Sequence, residues 1–163
     1  MRGHVLANLA DDAGSEVSET LIRRAEAALR EMTRGFAHEA GEQVGRLDAA
    51  YEALSGAGAN AGIDASLAPY FDEAFEASHE LVGQAGSFGY ALLAHVCESL
   101  CVVIERRDCL PRAAVDAIGE HIATIHLILD RGLKGDGGEI GSALMRDLSA
   151  IHRRIALRRP PAR

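Results

Sequence analysis

The sequence contains no tryptophan, and aromatic residues make up only 4% of its 163 residues. Leu, Ile, Val and Ala must therefore fill the core, which suits helix packed on helix better than a β-sandwich or barrel. No stretch approaches the ~20 consecutive apolar residues that a transmembrane helix requires. The N-terminus "MRGHVLANLADDAG" meets acidic residues early and has no long apolar run, so we expect no signal peptide.

Cysteine and basic residues are also scarce. Cys97, Cys101 and Cys109 cannot all pair with one another, and their clustering does not resemble a secreted disulfide framework. Reduced thiols in a cytoplasm are the simpler interpretation. Against 24 acidic residues the chain has 17 basic ones, which gives a net charge of -7. Such a chain lacks the positive surface that nucleic-acid binding needs. We expect a soluble, cytoplasmic protein that neither binds nucleic acid nor spans a membrane.

What the sequence does have is apolar residues at helical spacing, with no convincing strand. The pattern predicts helices over 16–34, 36–55, 64–85, 88–107, 112–131 and 139–157, with Pro69 in a first turn and Gly132 as a C-cap. It favours an all-α protein with an up-down-up-down four-helix bundle and additional N- and C-terminal helices. The predicted divisions are an N-terminal segment and helix (1–35), the bundle (36–133), and a C-terminal loop, helix and basic tail (134–163).

The stretch "SHELVGQAGSFGY", residues 78–90, combines one histidine with three glycines. His79 falls on the flank of the apolar stripe of the third predicted helix, roughly 100° from its centre. Gly83 and Gly86 follow on the same side of the helix, and Gly89 comes three residues later. Each glycine inside a helix costs roughly 1 kcal/mol relative to alanine. We interpret the glycines as keeping the surface beside His79 open for a macromolecular partner, although they would also permit close helix packing.

This stretch resembles the signature of histidine phosphotransfer (HPt) domains, which reads approximately His-x-Leu-Lys-Gly-x-x-x-x-hydrophobic-Gly. The matching residues are His79, Leu81, Gly83, Phe88 and Gly89. The next predicted helix, "ALLAHVCESLCVVIE", is similar to the family's following helix through Leu93, Ala94, Cys97, Leu100 and, offset in spacing, Glu105. The resemblance covers about residues 36 to 132, some three-fifths of the chain.

The resemblance implies a function in a two-component phosphorelay. His79 would accept a phosphoryl group from the aspartate of a response-regulator receiver domain and pass it to a second receiver. The receiver would supply Mg²⁺ and the catalytic side chains, so no cofactor is expected on this chain. The protein would be a phosphoryl carrier rather than a stand-alone enzyme, with receiver domains and a histidine kinase as partners.

One position departs from the family pattern. Where the family usually has Lys or Arg, this chain has Val82, and Glu76 lies one turn before His79. A cation from elsewhere would have to offset the phosphoryl charge, and Arg23, Arg24 and Lys134 are the possible donors.

The alternative to a phosphoryl carrier is an HPt-like docking module that binds receiver or kinase domains without carrying phosphate. A third interpretation is a helical dimerisation protein that pairs through its first or last helix. The oligomeric state stays open.

The remaining histidines and cysteines carry no predicted chemistry. His121 and His126 are five residues apart, which does not bring two ligands to one helix face, and both are predicted to pack at the edge of a stripe. We expect His95 on an outer face and find no constellation around His38 or His152. Cys97 and Cys101 are predicted to be small buried side chains without a metal.

Overall fold

The computed structural model describes residues 3–57, 65–106 and 111–157, with side chains described for 18–32, 35–57, 66–106 and 113–154. This described part is helical and contains no strand, so the all-α prediction is confirmed. Its helices are α1 (Gly3–Gly56), α2 (Ala68–Ala85), α3 (Ala91–Glu105), α4 (Pro111–Asp130) and α5 (Gly138–Leu157). None of these helices, over the residues described, is both long and apolar enough to cross a membrane.

The two helices predicted over 16–34 and 36–55 are one continuous helix, so that division is wrong. α1 runs through Gly35, Gly41 and Gly45 without a break. Each of these glycines is exposed, and each costs only about 1 kcal/mol. The sequence has no proline before Pro69, and proline is the residue that would have stopped the helix outright.

The chain divides into two compact units, Met1–His38 and Glu39–Arg163. The first is a helical segment. In the second, α2 packs on α3, α3 packs on α4, and α5 packs on both α3 and α4. Buried apolar side chains come from every helix of this unit, among them Leu47, Leu54, Phe71, Leu81, Leu93, Leu100, Ile118, Ile125 and Leu148. Aliphatic side chains dominate this core, as the shortage of aromatics requires.

The sequence pattern placed α2 correctly. Pro69 lies in its first turn, where the missing backbone N–H costs nothing. A 3-10 turn, Gly86–Phe88, follows the helix and ends at Gly89, whose φ of 78° lies in the left-handed region. Glycine adopts this conformation without strain. The backbone N–H of Tyr90 then donates to the carbonyl of Ala85 at 2.9 Å, which closes the end of the helix.

The helices predicted over 88–107, 112–131 and 139–157 correspond to α3, α4 and α5. Gly132 is the predicted C-cap of α4, with φ of 59°, and the N–H of Leu133 donates to the carbonyl of Ile128 at 2.9 Å. The following loop binds the start of α3, because Gly135 exchanges backbone hydrogen bonds with Gly89 and Leu92 at 2.7 and 2.8 Å. Most of the predicted loop at 55–62, the "RDCL" connection and the end of the basic tail lie outside the described residues.

Candidate functional site

His79 lies in α2 and points away from the core. Its neighbours Ser78 and Leu81 are fully buried, and the Ser78 hydroxyl donates to the carbonyl of Cys97 on α3 at 3.0 Å. This bond fixes the rotation of α2 against α3. A residue one place further is turned by about 100°, which makes the His79 side chain exposed. The prediction that His79 lies on the flank of the helix is confirmed.

The imidazole of His79 has one aromatic neighbour. The ring of Phe75, one turn earlier, stacks on it with a centroid distance of 6.0 Å and an interplanar angle of 4°. In the part of the chain that the structure describes, the imidazole forms no hydrogen bond and no ion pair. Both ring nitrogens therefore lack a partner among the described residues, and the stacking on Phe75 is the described contact that orients the ring.

The surface beyond His79 is open where Gly83 and Gly86 lie. Both glycines are exposed, and a Cβ added to either would meet no described atom within 4 Å. Among the described residues, no helix packs closely against these two glycines. Gly89 is also exposed, but its positive φ gives it a second role, which is to form the turn between α2 and α3.

A cluster of charged side chains lies on one side of His79. Arg46 of α1 donates through Nε to Glu73, and its Nη atoms lie 3.6 Å from Glu76 and 3.3 Å from Glu80. Glu76 and Glu80 are the residues three places before and one place after His79. Three carboxylates surround one guanidinium, so this Arg46 cluster stays net negative.

Within the Arg46 cluster, Arg46 and Glu73 favour each other's charged forms. The hydrogen bond from Arg46 holds the pKa of the Glu73 carboxyl below its usual value, and the same bond raises the pKa of the Arg46 guanidinium. Phe75 and the half-buried Val82 lie on the opposite side of His79. The imidazole thus lies between an acidic side and an apolar side.

Of the three cations suggested by the sequence, Lys134 belongs to the same unit as His79, whereas Arg23 and Arg24 belong to the first unit. Arg23 lies 3.9 Å from Glu19 on its own helix. The Nζ of Lys134 lies over the Tyr90 ring, 5.2 Å from its centroid. Arg24 is exposed in the first unit. Arg46, which the sequence did not single out, is the cation bound to the neighbours of His79.

A cluster of two histidines and a serine, which the sequence pattern did not predict, joins α3, α4 and α5. His121 is not at an edge but fully buried, so that prediction is wrong. Its Nδ1 donates to the carbonyl of Ala117 at 2.7 Å, and its Nε2 lies 2.9 Å from Ser99 Oγ. The same hydroxyl lies 3.0 Å from His152 Nε2. A signal was present, because His121 is three residues after Ile118 and four before Ile125 in the buried stripe.

The hydrogen bonds of this cluster determine which nitrogens carry protons. A carbonyl only accepts, so His121 Nδ1 carries the hydrogen and its Nε2 accepts from the Ser99 hydroxyl. Ser99 has no second hydrogen, so His152 Nε2 donates to it. Burial lowers the pKa of His121 to about 4. Burial also lowers the pKa of His152, with a smaller contribution from Arg106. The cluster is a neutral network joining α3, α4 and α5.

The positions predicted for His95, His126 and Cys97 agree with the structure, whereas Cys101, which was predicted to be buried, is half-buried. His95 is exposed, and the half-buried His126 lies 3.0 Å from Asp48. Cys97 is buried, and burial raises the pKa of its thiol to about 12. Within the described ranges, no group of three or more His, Cys, Asp or Glu side chains could hold a metal ion.

Comparisons with protein families, with curated proteins and with solved structures give no match to this chain.

Proposed function

We propose that the protein is a histidine phosphotransfer protein of a two-component phosphorelay, with His79 as the phosphoryl acceptor. The proposed core is an up-down-up-down four-helix bundle flanked by terminal helices. One observation carries the proposal: an exposed imidazole without a hydrogen-bond partner among the described residues, followed on its own helix by Gly83 and Gly86 with open space around them. At positions 83 and 86 a receiver domain that approaches this imidazole has no side chain to displace. The resemblance of residues 79–89 to the HPt signature supplies the chemistry.

The proposed reaction needs a nucleophile in position rather than a pocket. The lone pair of one neutral imidazole nitrogen attacks the phosphorus of a receiver aspartyl phosphate. The N–P bond forms as the P–O bond breaks, the aspartate leaves as a carboxylate, and the ring proton passes to water. The reverse sequence delivers the phosphoryl group to a second receiver aspartate. Phosphoryl transfer of this kind depends mainly on alignment and on neutralisation of charge.

Arg46 is the side chain of this site that offers positive charge. It is bound to Glu76 and Glu80 on either side of His79 in the sequence, and both glutamates are largely exposed. Arginine binds phosphate through two parallel N–H donors, so its Nη groups can exchange an exposed carboxylate for the phosphoryl oxygens. The hydrogen bond to Glu73 keeps the guanidinium beside α2 during that exchange. In this proposal Arg46 provides the charge that Val82 does not.

The test is transfer of label from a phosphorylated receiver domain. Wild-type protein should acquire acid-labile label, and the His79→Gln variant should acquire none. His95→Gln is the matched control, since it removes another exposed imidazole, this one from α3, and it should be labelled like wild type. Equal labelling of wild type and His79→Gln would show that the acceptor is another residue.

A second candidate function is docking without phosphotransfer, and the net negative Arg46 cluster favours it. Carboxylates beside His79 oppose the accumulation of a phosphoryl group by like-charge repulsion. A module that only binds receiver or kinase domains would have no need of a cation at position 82. In that case receivers would bind His79→Ala as tightly as wild type, and no label would reach either protein.

A further inference from the structure

The first unit of the chain exposes large apolar side chains on α1. Leu21, Ile22, Leu29 and Met32 are exposed by 59%, 55%, 62% and 57%. Single exposed apolar residues are ordinary on a protein surface, whereas a group of them marks an interaction surface. These four lie within twelve residues of one helix. We call three of them, Ile22, Leu29 and Met32, together with Ala25, the α1 seam, and Leu21 borders it.

The spacing of the α1 seam is that of a coiled coil. Ile22, Ala25, Leu29 and Met32 alternate steps of three and four residues, which assigns Ile22 and Leu29 to position a and Ala25 and Met32 to position d of a heptad. A 3.5-residue period keeps such a row facing a partner helix that has the same period.

The charges of this segment suit a second copy of the same helix. Residues 18–32 contain three acidic and three basic side chains, so they are neutral within a chain of net charge -7. Two of the basic side chains form ion pairs along their own helix, Arg23 with Glu19 at 3.9 Å and Arg30 with Glu26 at 3.3 Å. Two copies of this segment therefore meet without net repulsion, although two whole chains repel each other.

The side chains that border the α1 seam determine the direction of pairing. Glu19 and Glu26 occupy position e, and Leu21 and Ala28 occupy position g. A parallel pair places each e residue opposite a g residue of the other copy, so the glutamates face apolar neighbours and can keep their intrahelical arginines. An antiparallel pair places e against e, and glutamate would face glutamate at an energetic cost.

We propose that the α1 seam pairs with the same seam of a second copy as a parallel two-stranded coiled coil. The seam spans less than two full heptads, and interfaces of this small size form weak and reversible complexes. The pairing is independent of the proposed phosphotransfer, because none of its residues belongs to the unit that carries His79.

Sedimentation of the full chain across the micromolar range tests the pairing. Wild type should show a reversible monomer–dimer equilibrium. Leu29→Glu should weaken the dimer at least roughly 100-fold, because two carboxylates would be buried at one position of the seam. Ala27→Glu adds the same charge on the opposite side of α1 and should leave the dimer unchanged. Helicity from circular dichroism should be equal in all three proteins. A strictly monomeric wild type, or a dimer that Leu29→Glu leaves intact, overturns the proposal.

Cross-linking tests the direction of pairing. With Cys101 and Cys109 replaced by serine, Ala25→Cys should form an intermolecular disulfide under mild oxidation, since equivalent d residues face each other in a parallel pair. Ala27→Cys on the outer side should form none above background. If the dimer is present but Ala25→Cys does not cross-link, the parallel arrangement is wrong.

Discussion

His79 and His121 are the same side chain in two opposite environments. His79 is exposed on α2 and stacks on Phe75, and neither of its ring nitrogens bonds to a residue that the structure describes. His121 is fully buried in α4 and uses both, one on the carbonyl of Ala117 and one on the hydroxyl of Ser99. A nitrogen that already holds a hydrogen bond in a closed core is not available as a nucleophile. One histidine is suited to meeting a partner, and the other joins three helices.

The residues around each histidine differ in the same way as the exposure of the two side chains. Beside His79 lie open space at Gly83 and Gly86, the Arg46 cluster on one side and apolar Phe75 on the other. On its own helix His121 has apolar neighbours, Ile118, Ile122 and Ile125, which are all buried. A buried polar group contributes to stability only while its partners stay in place. His121 should therefore matter for the fold and His79 for the surface.

The largest expected contrast is in stability. His121→Ala should lower the free energy of unfolding by about 2–4 kcal/mol, because it leaves a cavity and removes the acceptor of the Ser99 hydroxyl. His79→Ala should change it by no more than about 0.5 kcal/mol, since the exposed ring loses only its contact with Phe75. Urea unfolding followed by circular dichroism at pH 7.5 measures both. Equal destabilisation by the two substitutions would contradict the prediction that His121, but not His79, stabilises the fold.

A smaller effect should appear on acidification. The pKa of His121 is about 4 in the folded protein, against about 6.5 in an unfolded chain. Between these values the unfolded chain binds a proton that the folded protein does not, so stability falls as pH decreases through this window. His152 shifts in the same direction. From pH 6.5 to 5.0 wild type should lose about 1.5 kcal/mol more than His121→Gln, which lacks this titration.

The comparison with His121→Gln isolates the buried imidazole from the other titrating groups. Carboxylates titrate in both proteins, and their contribution cancels in the difference between the two pH profiles. Parallel profiles for wild type and His121→Gln would mean that His121 does not resist protonation in the folded state.

The two histidines also show what a sequence can predict. Helical periodicity predicted the flank position of His79 from residues of its own helix. Phe71, Ser78 and Ala85 mark the buried face of α2, and His79 lies about 100° away from that face. His121 occupies a core position by the same periodicity, but its partners Ser99 and His152 come from two other helices. Which polar groups meet across helices depends on tertiary register, and no local pattern encodes that. Arg46 was missed for the same reason, since 27 residues separate it from Glu73.

The smallest predicted effect concerns the open side of the His79 surface. Gly83→Ala should raise the free energy of unfolding by about 0.5–1 kcal/mol, because the residue is helical and its new methyl group meets no described atom within 4 Å. Gly89→Ala is the matched control and should lower stability by roughly 1–2 kcal/mol, because its φ of 78° strains any residue with a Cβ. The same urea unfolding experiment measures both variants.

The stability gain from Gly83→Ala makes the glycine informative about function. A chain selected for stability alone would carry alanine there, since helix propensity favours it and packing does not oppose it. If open surface is needed for a receiver to reach His79, Gly83→Leu should slow receiver-dependent labelling relative to Gly83→Ala while the protein stays folded. Labelling at the wild-type rate in Gly83→Leu would mean that the docking partner does not cover this turn of α2, and the glycine would lose its functional explanation.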